Sequence, residues 1–287
     1  MTPDFKIFYR PEQNSNPDSY SPSAAKPAKV MEAWQMECPD LDVASFEPLQ
    51  KEDLYAVHKR DYVDGVFDLK VPNGFGSYDP QVNDSLLYTC GSMLAATRHV
   101  MDHGGMAVSP TSGFHHAGHD HGGGFCTFNG LALAAVTAAQ AGHRVAIIDC
   151  DYHYGDGTAD ILKVLQGLPI AHESFGAKFH IPEQGAAYLA ALYGLRVTGF
   201  FDDIDLILYQ AGADVHVDDP LGGVLSTAQM QERDRILLQG AHRQGIPLVW
   251  NLAGGYAIDE AGSPAPVIAL HSNTLREQLR VVKTPGA

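Results

Sequence analysis

The sequence predicts an α/β fold in which helices cover both faces of a parallel sheet, and three observations carry that expectation. Short apolar runs alternate with longer stretches of helical composition, each run passes into a segment rich in Gly, Asp and His, and 287 residues at 45% hydrophobic content are enough to bury both faces of a sheet. Taken in order, the elements begin with Met106–Ser109, a strand that enters a glycine- and histidine-rich loop. Phe128–Ala141 has helical composition, and Val145–Ile148 is a second strand, apolar throughout as a strand buried on both faces must be. Ile204–Tyr209 is a third strand, Thr227–His242 a helix, Pro247–Leu252 a fourth strand and Pro266–Val281 a last helix. No fixed-period repeat is present, and one domain spanning residues 1–287 is expected. Pro11–Lys29, rich in Pro, Ser and Asn, reads as an irregular surface segment.

In such a sheet the C-terminal strand ends share one rim, where open α/β folds place their ligands. Asp149, Asp151, His153 and Asp156 follow the second strand. Asp151 and His153 are two apart, so along an extended chain both project from the same side and can meet one ion; carboxylate oxygen and imidazole nitrogen suit zinc or another divalent transition metal. Asp214, past the third strand, would be a third ligand, and three N/O ligands leave a position open, as in a catalytic site. His115 and His116 follow the first strand, ahead of Gly124 and Phe125. Past the fourth strand, Gly254 and Gly255 permit close backbone approach, and the Tyr256 hydroxyl could donate to an oxyanion. Each cluster alone is as readily a turn, an exposed polar pair or packing; their placement at four ends of one sheet gives them a joint reading.

In chain order GFHHAG (113–118), GGGFCTFN (122–129), DCDYHYGDGT (149–158), AGADVHVDDPLGG (211–223) and AGGY (253–256) resemble the histone deacetylase family of zinc-dependent amidohydrolases, which includes acetylpolyamine and acetoin-utilisation proteins. The resemblance runs from about Asp61 to Tyr256. It implies the arginase-like three-layer fold, one Zn²⁺ per chain held by Asp151, His153 and Asp214, a dyad of His115 and His116, and Tyr256 as the phenol that polarises the substrate carbonyl. Asp149 would orient His115 and, with Ser174, contribute to a structural K⁺ site; Asp156 would pair with His116. Phe125 would be an aromatic wall of an acyl-lysine channel, with Gly124, Leu221, Gly254 and Gly255 also lining the substrate. The implied reaction is hydrolysis of an acyl, typically acetyl, group from an amine such as a lysine side chain, with His116 taking a proton from water and Tyr256 donating to the oxyanion. Which histidine protonates the leaving amine stays open. An acetylpolyamine deacetylase, an arginase-type ureohydrolase and a metal-binding homologue without turnover are the alternatives.

Departures from the family pattern bear on substrate choice. The interval between Asp151 and Asp214 is shorter than in typical members, and of the second aromatic channel wall only Phe179 is a candidate. Leu221 stands where polyamine-selective relatives can carry a glutamate, and an apolar side chain cannot pair with a distal ammonium. Tyr78-Asp79 could stand for a rim aspartate but reads as a turn; His119 and His121 read as a solvated loop, and His216 as a loop-stabilising residue. With 34 acids against 19 bases the net charge is −15, which disfavours nucleic acid and is compatible with a cationic amine. Cys38, Cys90, Cys126 and Cys150 lack C-x-x-C spacing, and Cys126 and Cys150 read as buried thiols. With no signal-like start and no apolar run of about 18 residues, a cytoplasmic protein without membrane contact is expected.

Overall fold

The computed structural model describes residues 5–15, 21 and 23–283. Its elements are β1 (Phe5–Phe8), α1 (Lys26–Glu37), β2 (Val43–Ala44), α2 (Arg60–Phe67), α3 (Pro80–His103), β3 (Met106–Ser109), α4 (Gly130–Gln140), β4 (Val145–Asp149), α5 (Asp156–Val164), β5 (Ile170–Ser174), α6 (Gly185–Val197), β6 (Leu206–Gln210), α7 (Thr227–Gln244), β7 (Leu248–Asn251) and α8 (Ala265–Lys283). The strands pair in parallel as one sheet in the order β2-β1-β3-β7-β6-β4-β5. The four strands expected from sequence are therefore neighbours, and each is buried along its whole length.

Alternation along these strands explains their unbroken apolar sequence. Ala146, Ile148, Ile207, Tyr209 and Trp250 face α1, α6, α7 and α8, whereas Val145, Ile147, Leu206, Leu208 and Val249 face α2, α3, α4 and α5. Two hydrophobic layers thus sandwich the sheet. Helix starts are capped from sequence: Asn129 accepts from the Ala132 amide at α4, and Ser226 with Gln229 forms a capping box at α7.

Register lines up the strand ends. Ser109 pairs with Asn251, Asn251 with Gln210, Gln210 with Asp149, and Asp149 with Ser174, so the loops that follow all leave from one row.

The Pro11–Lys29 segment departs from its expected surface character. Pro11–Gln13 forms a 3₁₀ turn, α1 begins at Lys26, and Gln13, Ser21, Ser23 and Lys26 are buried; residues 16–20 and 22 lie outside the described residues. Two of its polar side chains bond to main chain of the rim loops: Gln13 Nε2 donates to Pro110 O at 2.9 Å and Lys26 Nζ to Ala253 O at 2.6 Å. Among the described residues no helix is long and apolar enough to cross a membrane. The four cysteines are free, and Cys126 and Cys150 are buried.

Candidate active site

Asp151 and His153 follow β4 and Asp214 follows β6, the adjacent strand. A short cascade folds the first two back on themselves: Asp149 Oδ1 accepts from the Asp151 amide at 3.1 Å, and Asp151 Oδ1 from the His153 amide at 2.9 Å. Cross-links then join the strand ends, since Asp214 Oδ1 accepts from the Tyr152 amide at 3.1 Å and Asp151 Oδ2 from the Gly254 amide at 2.8 Å. One ligand atom from each of Asp151, His153 and Asp214 falls within 4.8 Å of the others.

The chemistry of this trio fits a cation. Both carboxylates are fully buried and face each other beside one imidazole, His153 Nδ1 lying 3.0 Å from Asp214 Oδ2 and 3.3 Å from Asp151 Oδ1. Burial opposes ionisation of both acids; His115 and His153 hold Asp151 ionised, and burial together with that charge pushes Asp214 up to about 7. His153 loses charge to burial but gains it from Asp151 and Asp214, which raise it to about 10. Two buried acids this close favour positive charge between them, and the N/O donor set suits a divalent transition metal.

Beside the trio, the His115 and His116 rings lie 4.1 Å apart between centroids, tilted by 55° to each other. His115 Nδ1 donates to Asp149 Oδ2 at 2.8 Å, and His116 Nδ1 to Asp156 Oδ1 at 2.6 Å, so each carboxylate fixes its ring and leaves Nε2 directed elsewhere. The environments pull the two apart. Burial opposes charge on His115, but Asp149 and Asp151 outweigh it and raise the ring to about 9; burial and the neighbouring His115 lower His116 despite Asp156. His58 ties the same loop down through Gly118 O, 2.8 Å from Nδ1.

Tyr256 lies edge-on to His153, ring centroids 6.4 Å apart, and 6.0 Å from the Phe125 ring. Burial, Asp214 and Asp151 raise its phenol, which keeps the hydroxyl protonated and able to donate. The turn that carries it passes so close to the Asp151, His153 and Asp214 trio that a Cβ at Gly254 would collide with the Asp214 carboxylate and stand 2.7 Å from Asp151 Oδ2; Gly255 follows at φ +137°. Gly124, at φ +51°, lies against the His116 ring, which a Cβ would strike. Phe125 also occupies the left-handed region, at φ +64°, its amide held by Gly74 O at 3.2 Å.

Two residues that sequence reasoning left out organise this rim. Asp219, buried, accepts from the Leu221 amide with Oδ1 (3.0 Å) and from the Tyr256 and Ala257 amides with Oδ2 (2.7 and 3.2 Å), tying the loop after β6 to the Tyr256 turn. Its place in Asp219-Pro220-Leu221-Gly222 was the available signal. Lys26, fully buried, donates to Ala253 O and Gly254 O; nothing local in the sequence marks it.

Other expected positions fall as follows. Leu221 is partly exposed. Ser174 is buried in register with Asp149, its Oγ accepting from the Gly155 amide at 3.1 Å. Phe179, partly buried, stacks on Phe175 and lies tilted against Tyr188; Tyr152 is edge-on to His153 at 5.2 Å and donates its hydroxyl to His180 O. Asp79 caps α3 by accepting from the Gln81 amide. His119 is held by Val57 O and His216 by Thr227 Oγ1.

A sequence profile described as histone deacetylase domain matches residues 22–188 and 185–269. An uncharacterized protein of Picosynechococcus sp. is 31% identical over 228 residues, 71% of this chain and 75% of that protein. Histone deacetylase 10, chloroplastic, of Oryza sativa subsp. japonica is 28% identical over 272 residues, 78% of this chain and 61% of the relative. Acetylpolyamine amidohydrolase 1 of Pseudomonas aeruginosa is 28% identical over 178 residues, 52% of this chain and 50% of the relative. The chain thus spans between half and two thirds of the length of these two relatives. Among solved structures, an acetylpolyamine aminohydrolase from Burkholderia pseudomallei superposes with a TM-score of 0.74 over 97% of this chain and 99% of that one at 18% identity, a likeness of fold.

Proposed function

This chain belongs to the histone deacetylase family, and on that premise we propose that it is a zinc-dependent amidohydrolase that removes an acyl group, typically acetyl, from an amine such as a lysine side chain. The observation that carries the reading is the meeting of Asp151, His153 and Asp214 with the carboxylate-anchored dyad and Tyr256 at one sheet rim. Asp151, His153 and Asp214 would hold the Zn²⁺; bound there, it would supply Lewis-acid polarisation of the amide and a more acidic water. A structural K⁺ beside Asp149 and Ser174 belongs to the same reading.

The chain's own groups divide the remaining work. His116, neutral and with Nδ1 committed to Asp156, accepts the proton of the attacking water at Nε2. His115, its Nδ1 donating to Asp149 Oδ2, is fixed beside the trio with Nε2 left to face the reacting groups. The Tyr256 hydroxyl donates to the carbonyl oxygen as it becomes an oxyanion, and His116 returns its proton to the departing amine. Phe125 walls the channel. The free buried thiols agree with a reducing compartment.

An arginase-type reaction needs paired metals, and the described residues offer one group with ligand geometry. The test is turnover of acetyl-lysine peptides, longer acyl-lysines and acetylpolyamines by zinc-loaded protein alongside Asp214→Ala and Tyr256→Phe. Asp214→Ala should lose both metal and activity. Tyr256→Phe should keep its metal and lose about 10² to 10³ in kcat, the usual effect of deleting one oxyanion donor. Near-normal turnover by the Phe variant, or two ions per active chain, would overturn the assignment.

A further inference from the structure

Lys26 breaks two local rules at once. It sits in the first turn of α1, at the positive end of the helix, and it is fully buried. Its partners are main-chain carbonyls, Ala253 O at 2.6 Å and Gly254 O at 3.0 Å. Burial pushes the ammonium down to about 8, against the pull of Asp214, Asp151 and Asp219. Sequences that override local preference so strongly do so where function repays it.

The geometry of the grip says what is repaid. Two consecutive carbonyls aimed at one point repel each other unless a cation sits between them. Ala253 is held at φ +54°, a conformation that costs a non-glycine residue energy, and Gly255 at φ +137°. Ala253 C=O and Gly254 N–H belong to one peptide unit, whose oxygen faces Lys26 and whose N–H donates to Asp151 Oδ2 at 2.8 Å. The ammonium therefore both orients that peptide and polarises it, strengthening the donor that reaches the metal trio. Without the cation the two carbonyls would turn apart, taking the Gly254 amide off Asp151 and changing the direction from which Tyr256 enters the site.

We propose that Lys26 is a positioning residue: by gripping the 253–256 turn through its charge, it sets the Tyr256 hydroxyl and the Gly254–Asp151 hydrogen bond. As a statement about catalysis this rests on the deacylase reading above; as a statement about the turn it does not.

The experiment compares Lys26→Met, which keeps length and loses charge, with Lys26→Arg, which keeps charge and donors. Both are measured as zinc-loaded protein by steady-state kinetics, by zinc affinity in chelator competition and by hydrogen exchange of the peptide covering 253–257. For Lys26→Met the expectation is a kcat reduced by about tenfold or more, as misplacement of a reacting group produces. KM should stay within about threefold, because a group acting in the transition state leaves ground-state binding in place. Zinc should bind as tightly or more tightly, since a positive charge near the ligands is gone, and exchange in the 253–257 peptide should rise. Lys26→Arg should recover most of kcat and restore protection. A kcat within about twofold of wild type for Lys26→Met, or unchanged exchange in its turn, would overturn the proposal. So would an Arg variant that keeps its zinc yet loses about tenfold or more in kcat relative to wild type, a result that stands even if Lys26→Met fails to fold. Wild-type protein with no turnover on any acylated amine, yet with exchange rising in Met and restored in Arg, would leave the grip standing and remove the deacylase reading.

Discussion

His58 makes the histidine loop sensitive to acid, and the size of the effect can be worked out. Its ring is buried between Tyr62 and Phe128, with Nδ1 2.8 Å from Gly118 O and Nε2 2.8 Å from the Asn129 amide. Those partners require a neutral ring that donates from Nδ1 and accepts at Nε2; a second proton would set one N–H against another. Burial accordingly pushes His58 down to about 4 from an ordinary value of 6.5. A depressed folded-state value means that the unfolded chain binds the proton first, so the stability is present above pH 6.5 and is lost as pH falls toward 4. At about 1.4 kcal/mol per pH unit, the loss across that window is about 3 kcal/mol, a large part of a typical domain's stability. Urea unfolding at pH 7.5, 6 and 5 should show wild type losing about 2 kcal/mol more than His58→Gln between neutral pH and pH 5, although the variant starts lower by about 1 kcal/mol for its missing hydrogen bond. Parallel pH profiles for the two proteins would refute the reasoning.

Asp219→Ala strands the amides of Leu221, Tyr256 and Ala257, each worth about 1–3 kcal/mol if left unpaired in the interior. The variant should melt earlier and lose kcat in the manner of Tyr256→Phe while retaining zinc; a thermal melt and kcat both at wild-type level would show the clamp to be idle. On substrate class, Leu221 is 37% exposed, so an ammonium beside it keeps part of its water, and kcat/KM for an acyl-lysine peptide should exceed that for acetylated putrescine or spermidine by about tenfold. Leu221→Glu should narrow the gap, and a tenfold wild-type preference for the polyamines would sink the argument.

The residues legible in the sequence were those whose chemistry and periodicity agree locally. β3, β4, β6 and β7 announce themselves because strands buried on both faces have no polar positions, and the acids and histidines that follow them stand out by contrast. The edge strands were hidden: Ile170–Ser174 mixes His172 and Glu173 into a half-buried run, and Val43–Ala44 is two residues long. Lys26 was invisible for a different reason. Its partners lie more than 220 residues away in sequence, and a lysine in a Pro- and Ser-rich segment ordinarily belongs to the surface. Asp219 was read only as context for Leu221, because its three amide partners come from two loops that only the folded sheet brings together.

The trio Asp151, His153 and Asp214 hangs from two strands that are hydrogen-bonded neighbours, Asp149 opposite Gln210. Its span is therefore set by the spacing of adjacent strands, about 4.8 Å, and by a few residues of turn. The long crossover between those strands, running through α5, β5 and α6, packs against the turn after β4 through Ser174, Gly176 and His180 without supplying any of the three side chains. Evolution can shorten or lengthen that crossover, trading one mouth for another, while the floor beneath keeps its dimensions.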